Sequence, residues 1–120
     1  MDFKLELVTI PVSDVDRAKA FYVQAGFNLD NDAPVNENLR FVQLTPPGSA
    51  CSIALGTGLT DAPLGSARAQ LVVDDAQAAC ADLRARGIEA SDVEEFPWGS
   101  FTFFADPDGN RWSVQQLPPR

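Results

Sequence analysis

Apolar residues recur along this chain with two periods that take turns. Leu5 to Val12, Leu-Glu-Leu-Val-Thr-Ile-Pro-Val, is an apolar-rich run that reads as a strand. The spacing then changes: Val15, Ala18, Tyr22 and Ala25 fall three and four residues apart, which predicts a helix with one buried stripe. Ser13 or Asp14 supplies its N-cap, and Gly26 ends it because glycine takes the left-handed conformation at low cost. Phe27 to Leu29 starts a short strand, and Asp30 to Asn38 reads as a loop. Leu39–Thr45 and Cys51–Leu55 then predict a hairpin about Pro46-Pro47-Gly48.

After a stretch rich in Gly, Thr, Pro and Ser, the same order begins again. Arg68 to Val73 reads as a strand, and Asp74 or Asp75 caps a helix carrying Ala76, Ala79, Cys80 and Leu83, ended by Gly87. Ile88 to Ala90 reads as a short strand, followed by a loop holding Pro97-Trp98-Gly99. A hairpin joins Phe101–Ala105 to Arg111–Leu117 through Asp106-Pro107-Asp108-Gly109. The halves align without a gap at an offset of 61 residues, placing Val12-Ser13-Asp14 over Val73-Asp74-Asp75 and Gly26-Phe27 over Gly87-Ile88. The same offset sets Pro46 and Gly48 over Pro107 and Gly109. An internal repeat decides architecture before any single motif does. It predicts an α+β fold of two tandem βαβββ modules, 1–56 and 68–120 with a linker at 57–67, forming a curved mixed sheet around a cleft within one domain, 1–120. Neither half alone can bury a sufficient core, so the halves must pack on something.

Charge and composition narrow the function. Seventeen acidic against nine basic residues give a net charge of −8, which repels nucleic acid phosphates. No apolar run approaches the roughly 20 residues of a membrane span, and no leader pattern suggests export, so the expected location is the cytoplasm. Cys51, in a strand-like run, and Cys80, on a helix stripe, read as buried reduced thiols rather than a disulfide. The chain has no histidine, which removes Ser-His-Asp and Cys-His catalysis. Gly56-Thr57-Gly58 is too short for a phosphate loop, and Asp92, Glu94 and Glu95 read as a solvated polar loop.

Val12-Ser13-Asp14 leading to Phe21-Tyr22 and Gly26-Phe27, with Asp106-Pro107-Asp108-Gly109-Asn110 before the last strand, resembles the vicinal oxygen chelate superfamily. This group contains glyoxalase I, extradiol dioxygenases, fosfomycin-resistance enzymes and bleomycin-resistance proteins, and the resemblance covers nearly the whole chain. It implies a divalent metal held by cleft-facing residues at four positions. Here those positions carry Leu7, Arg68, Ser113 and, within a residue or two, Ala54. Leucine and alanine have no donor atom and arginine stays cationic, so the resemblance points to the metal-free, bleomycin-resistance-like branch, with no cofactor. Such proteins bind a small molecule without transforming it, usually as homodimers whose clefts draw on both chains.

The resemblance also assigns a phase to the strands. The position three before the Asp-Pro turn faces inward, which selects Phe103 and, by alternation, Phe101, leaving Thr102 and Phe104 as core. With Ser113 inward, Arg111 and Gln115 follow it, while Trp112 and Val114 pack behind; Thr9 joins Leu7, and Gln70 joins Arg68. In the middle hairpin Phe41 and Gln43 are the inward candidates, with Val42 the alternative. Trp98 offers a flat face for stacking on a ligand, or else plugs its own fold or a dimer contact. Arg68 offers a cation for a carboxylate or phosphate, or pairs with a neighbouring Asp or Glu. The expected function is sequestration of an aromatic or amphipathic metabolite or antibiotic by a metal-free homodimer. An enzyme of the same fold with unusual ligands or metal-free acid–base chemistry, and an accessory subunit with a vestigial cleft, are the alternatives.

Overall fold

The structure, a computed structural model, describes residues 1–119. Two helices, α1 (Val15–Gln24) and α2 (Ala76–Ala85), accompany eight strands. Those of the first half are β1 (Leu7–Thr9), β2 (Asn28–Asn36), β3 (Leu39–Thr45) and β4 (Ser52–Thr57). Those of the second are β5 (Arg68–Val73), β6 (Glu94–Phe96), β7 (Gly99–Ala105) and β8 (Arg111–Gln116). They form two four-stranded mixed sheets with the same order, β1-β4-β3-β2 and β5-β8-β7-β6. In each sheet the helix-crossover strand lies parallel to the last strand, and the other pairs are antiparallel. The repeat in the sequence is therefore a repeat of topology, and the α+β βαβββ reading holds.

Local chemistry settles the helix ends. Asp14 caps α1, its carboxylate accepting from Arg17 N at 3.0 Å, and Asp75 caps α2, accepting from Ala78 N at 3.1 Å. Both helices stop at glycines with positive φ, 102° at Gly26 and 83° at Gly87.

Four expectations need correction. Asp30–Asn38 is not a loop: most of it belongs to β2, the edge strand of the first sheet. Its Asn, Asp and Pro residues carry turn propensity, but pairing with β3 overrides it. An edge position tolerates Pro34, and two register shifts absorb the irregularity. Ile88–Ala90 is not a strand. Ile88 and Ala90 are buried against the core without ladder pairing, so their alternation reports burial alone. The ladder forms further on, where Glu94 and Glu95, expected in a solvated loop, sit in β6 and put charge on the sheet's edge. The opening strand is also shorter than expected, three residues instead of the run from Leu5 to Val12.

A single interior lies between the sheets. Val42, Leu44 and Leu55 of the first sheet are completely buried, and Trp112 and Val114 of the second nearly so. Helix α1 sits between these surfaces. Tyr22 packs edge-on against Trp112 with ring centroids 5.8 Å apart, and Phe21 lies 6.2 Å from Phe104. A buried polar network crosses the same boundary. The Tyr22 hydroxyl donates to Asp106 Oδ2 at 2.7 Å and accepts from Trp112 Nε1 at 3.0 Å. Asn110 Nδ2 donates to Asp106 Oδ2 and to the carbonyl of Pro11, each at 2.8 Å. Ser13 donates from its hydroxyl and its backbone N–H to the Asp108 carboxylate. The Asp-Pro-Asp-Gly-Asn turn of the second half is thus the lock that holds the first. Burial, reinforced by the Asp106 carboxylate, pushes the Tyr22 phenol well above its ordinary range, so it remains a donor.

A second tie fastens α1 to its own sheet. Asp32 accepts from Arg40 at 2.9 Å and Lys19 at 2.8 Å, and Arg40 also reaches Asp16 at 2.8 Å. Hydrogen bonds from Arg40 and then Lys19 hold the Asp32 carboxyl well below the usual carboxylate range.

Candidate ligand-binding face

Because the helix-side faces of both sheets point into one interior, their other faces point away from it. Strand register states which side chains those are. In the first sheet Leu7 neighbours Ser52, Thr9 and Gln43 neighbour Ala54, and Phe41 neighbours Gly56. Leu7, Thr9, Phe41, Gln43 and Ala54 therefore share one outer face. Val42, the alternative phase, lies fully in the core. Gln43 donates to Ser52 Oγ at 3.2 Å, and Ser52 shares a 2.7 Å hydrogen bond with Thr45. Leu7, Thr9, Phe41, Gln43 and Ala54 are all uncharged, and Thr45 donates to the Asp30 carboxylate at the edge of the face.

The second sheet presents a different surface from the same positions. Arg68 neighbours Arg111, Gln70 neighbours Ser113, Phe103 neighbours Ser113, and Phe101 neighbours Gln115. Trp98 occupies the two-residue turn between β6 and β7, where Phe96 pairs with Gly99. Gly99 is required there, since a Cβ would lie 2.5 Å from the Gln116 carbonyl. The rings form a continuous wall. Phe96 stacks on Trp98 with centroids 5.2 Å apart, Phe101 meets Phe96 edge-on at 5.7 Å, and Phe103 stacks parallel to Phe101 at 5.8 Å. Trp98 is 60% exposed and Phe103 38%, whereas the other tryptophan, Trp112, is 3% exposed. Large aromatic faces left this open on a rigid strand pair are unusual for a surface that stays in water.

A polar thread runs behind the rings. Gln70 Nε2 donates to Gln115 Oε1 at 2.6 Å, and Gln115 Nε2 donates to the Trp98 carbonyl at 2.8 Å. Gln115 is buried and thereby fixes the turn that carries the indole. These residues line a shallow cavity of about 320 Å³ shared by Trp98, Phe103, Ser113 and Gln70.

The site residues expected from the sequence thus divide. Arg68, Gln70, Trp98, Phe101, Phe103, Ser113 and Gln115 come together on the second sheet. Leu7, Thr9, Phe41, Gln43 and Ala54 come together on the first, and within one protomer the two sets face apart. Sequence reasoning missed Phe96 as part of the wall. The signal available was Phe96-Pro97-Trp98-Gly99 itself, a two-residue hairpin turn between strands, read instead as a loop.

The four positions that would hold a metal in this architecture do not fit one. Leu7 and Ala54 offer no donor, the Arg68 guanidinium is cationic, and Ser113 Oγ lies 3.5 Å from the carbonyl of Ala69 and from Gln70 Oε1. Among the described residues no three His, Cys, Asp or Glu side chains converge on a point.

The profile of the Glyoxalase/Bleomycin resistance protein/Dioxygenase superfamily matches residues 4–114. The chain belongs to this superfamily. Solved structures carry the same fold. TnmS3, an antibiotic binding protein from Streptomyces sp. CB03234, is 37% identical with a TM-score of 0.86, covering 98% of each chain. A glyoxalase/bleomycin resistance protein from the same organism is 38% identical with a TM-score of 0.80, covering 94% of this chain and 100% of the other. A superfamily member from Sphaerobacter thermophilus DSM 20745 is 32% identical with a TM-score of 0.80, covering 95% and 97%. No curated protein matches the chain. No helix among the described residues is long and apolar enough to cross a membrane.

Proposed function

We propose that this protein binds and sequesters a flat aromatic or amphipathic small molecule, a metabolite or an antibiotic, without a metal and without transforming it. The observation that carries the reading is the exposed ring wall of Phe96, Trp98 and Phe103, propped by the buried Phe101 and backed by the Gln70–Gln115–Trp98 thread. Stacking on rigid rings gives contact area at little entropic cost. The likeness to an antibiotic binding protein over nearly the full chain supports the same class of ligand.

The reading includes a homodimer. One protomer supplies the ring wall and its partner the uncharged face of Leu7, Thr9, Phe41, Gln43 and Ala54, so that each cleft takes one sheet from each chain. The outward turn of both faces supports this, as does the exposure of Leu5 at 71% and Val8 at 40% beside the β1 edge. Two free thiols, Cys51 and Cys80, fit a reducing compartment, and the cytoplasm is the proposed location.

The test is a thermal-shift and equilibrium-dialysis panel of planar aromatic antibiotics and metabolites, run with and without EDTA, with the ligand recovered and checked for change. A ligand that raises melting equally in both conditions and is recovered intact supports sequestration. Turnover, or binding that requires a metal, overturns it. Sedimentation at working concentration must give a dimer; a monomer that still binds with full affinity removes the shared cleft.

A further inference from the structure

From the positions of the arginines we infer that the cleft carries an oxyanion subsite at the end of the ring wall, built by Arg68 and Arg111, and that its ligand is an aromatic acid. The inference rests on the aromatic-binding reading for the ring end of the ligand, while the subsite itself stands on separate observations.

The arginines of this acid-rich chain fall into two groups. Among the described residues Arg17, Arg40, Arg84 and Arg86 each pair with a carboxylate. Arg68 and Arg111 pair with none, although the chain carries seventeen acidic residues against nine basic. These two are also direct register neighbours on β5 and β8, pointing from the same outer face. Adjacent parallel strands lie about 4.8 Å apart, so the two cationic side chains leave the sheet side by side. Arg68 spends one nitrogen on the carbonyls of Gly65 and Ala67, at 2.7 and 2.9 Å, which holds its side chain in place and leaves the other donors free. No hydrogen bond from the Arg111 guanidinium is formed within the described residues.

Two neighbouring guanidinium groups repel unless an anion lies between them, and their planar forks match the geometry of a carboxylate or phosphate. Both line a cavity of about 580 Å³ together with Phe103 and Ser113, the two residues that also border the ring-wall cavity. The rings and the cations are therefore successive steps along one trough. Glu89 lines the same cavity but forms no ion pair with either arginine. None of the five residues proposed for the partner's opposing face, Leu7, Thr9, Phe41, Gln43 and Ala54, is a carboxylate, and the Asp30 carboxylate at the edge of that face is engaged by Thr45. A bound oxyanion would supply the missing countercharge, and Phe103, which borders both cavities, joins it to the rings that would hold the rest of the molecule.

The experiment compares 2-naphthoate with the neutral 2-naphthamide by calorimetric titration of the 120-residue chain, in the wild type, Arg68→Gln, Arg111→Gln and the double variant. A second arm follows the guanidinium 15N–1H signals of Arg68 and Arg111 during titration with inorganic phosphate, which needs no aromatic contact. The expected result is naphthoate binding about tenfold or more tighter than naphthamide, with the preference reduced in each single variant and gone in the double. Naphthamide affinity should fall much less than naphthoate affinity in every variant. Equal affinity of the two naphthalenes for the wild type overturns the subsite. If neither naphthalene binds but phosphate moves both arginine signals together, the subsite stands and the aromatic reading falls. If phosphate moves neither signal and neither naphthalene binds, both fall.

Discussion

The two modules share a strand order and differ in what they show to the outside. On the first sheet, the face away from the helices carries Leu7, Thr9, Phe41, Gln43, Ser52 and Ala54, with no charged side chain among them. On the second, the corresponding face carries four aromatic rings in sequence and two arginines that pair with no carboxylate among the described residues. Their helix-side faces, by contrast, are alike in being apolar and buried. Packing against a common interior holds the inner face of both copies to one chemistry. The outer faces escape that constraint, and there the copies have diverged into a ring-lined, arginine-bearing surface and a plainer one.

The tie between the modules is equally one-sided, and breaking it should have the largest effect. The carboxylate of Asp106 accepts from Tyr22, Asn110 and two backbone N–H groups, all at 3.0 Å or less. Asp106→Ala leaves those donors buried and unpaired, and a loss of about 3–5 kcal/mol in urea unfolding is expected. If the network serves only its own turn, the second module alone will loosen and the unfolding curve will split in two. A single shifted transition would establish it as the lock between halves.

Next in size is the difference between the outer faces. Trp98→Ala should weaken aromatic ligand binding by about 2 kcal/mol, close to thirtyfold, with little change in melting because the ring is mostly exposed. Phe41→Ala on the covering face should weaken it by less than about 1 kcal/mol. Equal losses measured by calorimetry would erase the division into recognition surface and cover.

A smaller effect separates contact from positioning. Gln115→Leu removes the donor to the Trp98 carbonyl without touching the indole. An affinity loss of about 1 kcal/mol is expected, with the Trp98 fluorescence anisotropy lowered as its turn loosens. Unchanged anisotropy would make Gln115 an ordinary wall residue.

The mildest test is pH. Asp32 is held below the usual carboxylate range by Arg40 and Lys19, so the stability it lends α1 is present above the ordinary carboxylate value and is lost as pH falls below it. Tyr22 is shifted upward, so its contribution is present below the ordinary phenol value of 10.0 and is lost as pH rises above it, when only the unfolded chain can ionise freely. Acid should thus weaken the tie within the first module, and alkali the tie between modules. Replacing Asp32 with Asn should flatten only the acid limb, and replacing Tyr22 with Phe only the alkaline limb.

Much of this was legible in the residues. The 61-residue repeat, the two capping aspartates, the glycine stops and the alternation in β7 and β8 depend on neighbours a few positions away, and local spacing reports them. The second module's inward phase followed from a single assignment, because a strand's period of two propagates to every residue on it. What failed were the edges. β2 and β6 owe their pairing to a partner strand more than to their own propensity, so Asn and Asp in the one, and Glu in the other, read as loop.

The sequence by itself determined two copies of one fold unit, their buried faces, and the presence of Leu7, Ala54, Arg68 and Ser113 at the positions that the resemblance assigns to metal ligands. Tertiary structure alone decided that both outer faces turn away from the shared interior, that Phe96 joins the ring wall, and that Arg68 stands beside Arg111. The reason is range. Periodicity and side-chain chemistry are encoded locally, whereas the relative orientation of two sheets, and which side chains meet across strands, are set by contacts between residues far apart in the chain.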